Sequence, residues 1–202
     1  CKNITQTFRM AEDNTPEACG SILSAYEGRE PDNTIDEKSC AAIIFTSGTT
    51  GEEKGVMLSH ANLIDTTFNG NLDVNIKISI LPMHHAFSVK SDFLTPLGVG
   101  STICFHNGMD KLGEALQAYE PTCLSMVPMI ANALYNKVFM FSQQTGKTME
   151  ECKYLVFGKR INQIITGGAH LPSELVDKYQ NIGIGIAQGY GMSECSPSIS
   201  IP

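Results

Sequence analysis

Six short apolar runs constrain the fold of this chain more than any other feature: 41–45, 76–81, 101–105, 122–127, 161–165 and 182–187. Helical patterns lie between several of them. Leu112, Ala115, Leu116 and Tyr119 recur at i, i+3, i+4 and i+7. Ile130, Ala133, Leu134, Val138 and Phe141 keep the same period behind Pro128, a residue suited to a first helical turn. Leu171, Leu175, Val176 and Tyr179 make a third amphipathic face. Strands alternating with helices predict an α/β fold, a mainly parallel sheet covered by helices. Ligands of such sheets collect at the carboxyl ends of the strands. That rule selects the loops at 46–55, 82–87, 106–109, 166–169 and 188–194.

The first of these loops carries the most chemistry. Thr46 to Val56 read Thr-Ser-Gly-Thr-Thr-Gly-Glu-Glu-Lys-Gly-Val, directly behind the apolar run Ala41-Ala42-Ile43-Ile44-Phe45. A buried strand that empties into such a loop offers backbone N–H groups and hydroxyls to a polyphosphate. Glycine permits positive φ and close approach, and Lys54 adds a mobile positive charge. The spacing is not that of a Walker A loop, because Gly48 and Gly51 are three apart and Lys54 is followed by Gly55. Ser59 is a good N-cap for a helix beginning His60-Ala61-Asn62-Leu63-Ile64. Strand, loop and helix in that order predict the phosphate-binding half of an α/β unit. The plain alternative is a surface loop.

Three further loops bear chemical groups. Pro82-Met83-His84-His85-Ala86-Phe87 places two histidines at a strand's carboxyl end, where they serve either a site or the structure. A metal centre there is not expected, since no Cys, Asp or Glu lies at ligand spacing. Thr166-Gly167-Gly168-Ala169 reads equally as backbone laid flat against a planar ring and as a tight turn into a helix at Ser173. In Gly189-Tyr190-Gly191-Met192-Ser193-Glu194, a tyrosine between glycines presents an open face for a base. The carboxylate after it, if close to phosphates, requires a cation, and Mg²⁺ is the candidate.

The rest of the chain bounds these readings. At 202 residues it is long enough to bury a core, and its charge of −7 with a pI near 5.2 argues against a nucleic-acid surface. Seven scattered cysteines, none in a Cys-x-x-Cys pair, predict reduced thiols and a cytoplasmic protein. No stretch reaches the ~18 apolar residues of a membrane span. The start Cys1-Lys2-Asn3-Ile4-Thr5 is neither a signal peptide nor an initiating Met, so the chain reads as a piece of something larger. Residues 1–39, with a short helix at Ala18–Tyr26 and a loop at 27–34, read as the irregular end of a preceding subdomain. Residues 40–202 read as the α/β region, with an exposed loop from Ser142 to Glu151.

Taken together, these motifs resemble the adenylate-forming superfamily of acyl-CoA synthetases, firefly luciferase and the adenylation domains of peptide synthetases. Thr46 to Gly55 match its phosphate loop, with Glu53 where proline is usual. Gly189 to Glu194 match its Gly-Tyr-Gly-x-Thr/Ser-Glu motif, and Gly167-Gly168-Ala169 its adenine-side turn. Leu81 to Phe87 resemble its aromatic/His motif. The stretch from Leu155 through Leu175 and the run Gln188 to Pro197 are most similar to bacterial long-chain fatty-acid:CoA ligases.

The resemblance implies the following roles. Thr46, Ser47, Gly48, Thr49, Thr50, Gly51 and Lys54 hold the phosphates of ATP; Gly167, Gly168, Ala169 and Tyr190, flanked by Gly189 and Gly191, sandwich the adenine. Ser193 reaches the α-phosphate, Glu194 binds Mg²⁺, and His85 lies beside the acyl carboxylate with Phe87 close to the acyl pocket. Fatty acid, ATP and CoA are the implied substrates. The remaining implied partner is a C-terminal domain of the same chain, and a greasy substrate leaves peripheral membrane contact open. The family's ribose-binding Asp lies beyond its glutamate motif, so these 202 residues are expected not to make acyl-CoA alone. Two alternatives stay open: activation of another acid or transfer to a carrier protein, and a non-catalytic nucleotide-binding module.

Overall fold

The computed structural model describes residues 34–46, 53–67, 75–106 and 108–200, which fall almost wholly within the unit Glu37–Pro202. Its centre is a five-stranded parallel sheet of β3 (Ile76–Ser79), β4 (Thr102–Phe105), β5 (Cys123–Met126), β6 (Gln163–Thr166) and β7 (Gly185–Gln188). The spatial order is β4-β3-β5-β6-β7. Lys77 lies opposite Cys123, Cys123 opposite Gln163, and Gln163 opposite Gly185, so the strands enter in one register.

Side chains alternate across a strand, and this register sorts them into two layers. Ile78, Leu124, Met126, Ile164 and Ile186 point into the main core. Four helices cover them: α3 (Leu112–Tyr119), α4 (Pro128–Thr145), α5 (Met149–Phe157) and α6 (Ser173–Gln180). Leu116, Val138, Phe157 and Tyr179 are each fully buried there, and burial of one such side chain contributes about 1.5–3 kcal/mol. The Tyr179 hydroxyl donates to the Ala131 carbonyl at 2.7 Å, which satisfies its polar end. The opposite layer is different in kind. It carries Lys77, Ser79, Cys123, Ser125 and Ile165, all buried.

The predicted parallel sheet is present, with one correction at its start. The run at 41–45 is a strand, but not one of the parallel sheet. It forms β1 (Cys40–Thr46), which pairs antiparallel with β2 (Lys54–Ser59) as a separate hairpin. A two-stranded ribbon buries one face only, so Ile44 and Leu58 are covered while Ile43, Phe45 and Met57 are more than half exposed. A short apolar run reads the same whether it is a buried parallel strand or a ribbon, and periodicity cannot separate them. The expected order of strand, loop and helix is therefore strand, loop, strand, helix. Ser59 does begin α1 (His60–Thr67), since its Oγ accepts the N–H of Asn62 at 3.2 Å.

A second correction concerns 142–151. Helix α4 continues to Thr145 and turns at Gly146, where φ is +69°. Thr148 then caps α5 reciprocally with Glu151: each backbone N–H is bonded by the other residue's side chain, at 3.2 and 2.9 Å. The proposed helix at Ala18–Tyr26 lies outside the described residues, as does almost all of the loop at 27–34.

Candidate functional site

The loop expected at 82–87 ends as a helix. Residues 86–98, here α2, comprise Ala86–Ser88, the π-helical turn Val89–Leu94 and Thr95–Gly98 in unbroken succession. His85 stands at its N-cap with extended backbone, its ring 4.3 Å from that of His84. Helix α2 covers the polar layer of the sheet, and three of its residues each meet one glycine-bearing segment.

Ala86 packs with Ile44, Leu58, Val56 and Leu63, which docks the β1–β2 hairpin and α1 beside His85. Phe87 lies over the turn that follows β6. A methyl group on Gly167 would come within 3.2 Å of its ring, so the glycine backbone packs close against the aromatic side chain and a larger residue would push the ring back. Lys90 reaches the third segment and donates to the Ser198 hydroxyl at 2.5 Å.

That third segment is a small hairpin of β8 (Tyr190–Gly191) and β9 (Ser198–Ser200). A Cβ on Gly191 would overlap the Pro197 carbonyl oxygen and lie 2.8 Å from its carbon. Both obstacles are backbone, so a side chain here forces the hairpin open. The chain between the strands makes a 3₁₀ turn, Ser193–Cys195, that packs against β2. Thr66 of α1 fastens it by donating to the Ser196 carbonyl at 2.6 Å. The strand bearing Lys54 and the turn bearing Glu194 therefore lie on the same side of the molecule.

Gln188 clips the remaining turn in place. Its Oε1 accepts the N–H of Leu171 at 2.9 Å and its Nε2 donates to the Ala169 carbonyl at 3.1 Å. The Gly189 N–H donates to the Thr166 carbonyl at 2.8 Å.

Of the residues singled out by sequence, His85, Gly167, Gly168, Gly189, Tyr190, Gly191 and Ser193 line one cavity of about 390 Å³. Thr46, Lys54, Ala169 and Glu194 do not line it. Thr46 and Lys54 face each other where the β1–β2 hairpin opens, and Ala169 and Glu194 are exposed on their turns. Ser47, Gly48, Thr49, Thr50 and Gly51 lie outside the described residues. Tyr190 keeps 64% of its surface accessible, which leaves a ring face free for a planar partner. The described residues contain no cluster of three or more His, Cys, Asp or Glu able to hold a metal ion by themselves.

Sequence reasoning missed the floor of the cavity. Lys77, 1% exposed, projects from β3 beneath α2 and donates to Ser125 at 2.6 Å. Asp92 of α2, 0% exposed, lies 3.6 Å from the Lys77 ammonium and takes a hydrogen bond from Ser88 at 3.3 Å. Burial pushes the Asp92 carboxyl up, against the opposing pull of Lys77 and of the Leu81 backbone. Burial likewise lowers the Lys90 ammonium and raises the Cys123 thiol. The available signal was the run Ile76-Lys77-Ile78-Ser79, where polar residues alternate with isoleucine in a strand that is covered on both faces.

The chain belongs to the AMP-binding enzyme family, whose model matches residues 2–202. It is 30% identical to 4-coumarate–CoA ligase 2 of Petroselinum crispum, over 94% of this chain and 35% of that protein. It is 26% identical to a feruloyl-CoA synthase of Amycolatopsis, over 89% of this chain and 35% of the relative. Its fold is similar to part of the O-succinylbenzoate coenzyme A synthetase of Bacillus subtilis, solved in complex with ATP and magnesium ion. That likeness has a TM-score of 0.65 at 21% identity, over 83% of this chain and 33% of the other. The chain thus spans about a third of the length of these proteins. Among the described residues no helix is long and apolar enough to cross a membrane.

Proposed function

We propose that this chain carries the nucleotide and acid sites of an ATP-dependent acid–thiol ligase, with residues 40–202 as its AMP-binding region. The observation that carries this reading is the convergence of three glycine-bearing segments on α2, two of which line one cavity together with His85. The residues fit a nucleotide. The Gly167–Gly168 turn and the exposed Tyr190 ring line the same cavity and would flank a nucleotide base there, while Lys54 and the hydroxyls among residues 46–50 would supply donors for phosphates. Glu194 provides the one carboxylate that Mg²⁺ requires when phosphate oxygens complete its shell, and the ion's charge would offset that of the phosphates.

In this reading a carboxylate oxygen of the acid attacks the α-phosphorus of ATP, the bond to pyrophosphate breaks, and an acyl-adenylate results. The thiol of CoA then attacks the acyl carbonyl and AMP departs. His85, at the cavity edge and at a helix N-cap, positions the acid's carboxylate, and Ser193 donates to the α-phosphate. Catalysis of this kind is chiefly positioning and electrostatics.

Two acid classes divide the finer reading. The stretch from Leu155 through Leu175 resembles that of fatty-acyl ligases. An aryl acid is supported by relatives named for coumarate and ferulate. Acid-dependent exchange of pyrophosphate into ATP by the full-length protein, run over aryl and alkyl acids, tests the function and separates the classes. Exchange with no acid at all would refute it.

A further inference from the structure

The lining of this cavity is mostly apolar, yet three lysines in the described region are buried: Lys77, Lys90 and Lys153. Two have carboxylate partners. Lys77 faces Asp92 at 3.6 Å, and Lys153 has Glu150 at 3.9 Å while also donating to the Ile182 carbonyl at 2.6 Å. Lys90 is 5% exposed and has no carboxylate within ion-pair distance among the described residues. Its one partner there is the Ser198 hydroxyl. Asp92, two residues further along the same helix, is taken by Lys77 and Ser88.

An isolated ammonium removed from water is costly, and such groups are found paired. Lys90 lines the cavity, so the partner it lacks among the described residues can come from an occupant. His85 is the N-cap of α2 and Lys90 lies further along the same helix, and both line the cavity, so one occupant can meet both. Ala86, Phe87, Val127 and Ile165 supply apolar lining of the same cavity.

We propose that Lys90, seconded by Ser198, is a specificity-determining residue that selects acids carrying a second, distal carboxylate, bound in the same cavity as the carboxylate that reacts at the His85 end. The inference rests on the acid-activation reading above. A neutral hydroxyl alone would leave the ammonium's charge uncompensated, and Ser198 already supplies one hydroxyl; an anion answers both conditions. A site built around a buried polar group rejects a ligand that lacks the matching group far more strongly than it rejects a small change in apolar bulk.

The test uses the full-length protein and acids matched in pairs: cinnamate with 4-carboxycinnamate, and octanoate with octanedioate. The readout is the ratio of kcat/KM, diacid over monoacid, in acid-dependent pyrophosphate exchange. The wild-type ratio should exceed about tenfold for at least one pair, and Lys90→Met should lower it by about tenfold or more, with Lys90→Arg retaining most of it. A wild-type preference for the monoacid overturns the proposal. So does an equal loss on both members in Lys90→Met, which would place the lysine at the reacting carboxylate or in the fold. Should Lys90→Met melt below the assay temperature, Ser198→Val and the wild-type ratio decide by the same criteria. Exchange with monoacids and a ratio indifferent to Lys90 sinks this inference alone; exchange with no acid sinks the reading beneath it as well.

Discussion

The Lys77–Asp92 pair, which joins α2 to the sheet beneath the cavity, makes a quantitative prediction. Both groups are essentially removed from water, and the ammonium also bonds Ser125 at 2.6 Å. Replacing Asp92 by Leu leaves a buried, uncompensated ammonium, and breaking a buried pair from one side costs about 3–5 kcal/mol. At about 2–4 °C per kcal/mol for a chain of this size, the melting temperature should fall by roughly 6–20 °C. Lys77→Met should cost less, because burial already favours the neutral Asp92 carboxyl and it can take up a proton. The double variant Lys77→Met/Asp92→Leu removes both desolvation penalties and should lie within about 1–2 kcal/mol of wild type. Urea unfolding of the four proteins at neutral pH gives the coupling directly. A coupling of about 3 kcal/mol or more is expected, and simple additivity of the single costs would refute the placement of these two groups against each other.

Other perturbations follow from the same geometry. Gly191→Ala drives a methyl group into the Pro197 backbone and should cost about 1–3 kcal/mol, with nucleotide affinity falling in step; a fully stable variant would contradict the hairpin described. Because the Asp92 carboxyl is raised above 3.8 in the folded protein, it contributes stability below that pH, which is lost as pH rises through the folded value. Asp92→Asn should abolish that descending limb, and stability–pH curves of equal slope for the two proteins would contradict it. Thr148→Ala removes the cap of α5 and should cost about 1 kcal/mol, read as a drop of a few degrees in melting temperature.

The parallel sheet was legible because its strands alternate with long, strongly periodic helices, and Leu112–Tyr119 is a helix with the bounds its periodicity implies. The hairpin of β1 and β2 was not legible. Residues 54–59 carry too few apolar side chains in alternation to declare a strand, and β1 is stabilised by a partner that begins only eight residues after it ends. The boundary at 142–151 was lost for a different reason. Capping polarity at Thr148 and Glu151 looks like loop composition unless the reciprocal bond is recognised. At the site, two glycines have a visible steric reason, since Gly168 has positive φ and a side chain at Gly191 would meet the Pro197 backbone. Lys77, Lys90 and Asp92 were not legible, because a buried charge is identified by what surrounds it in space, and no sequence spacing announces that α2 lies across β3.

Amide hydrogen exchange of the full-length protein, with and without ATP and Mg²⁺, is the most direct measurement of whether the glycine-bearing segments gathered by α2 serve one ligand. Peptides covering 46–55, 166–169 and 189–194 should slow together on addition of nucleotide, with the same concentration dependence. Protection confined to one of the three, or appearing at separate nucleotide concentrations, would contradict a shared site.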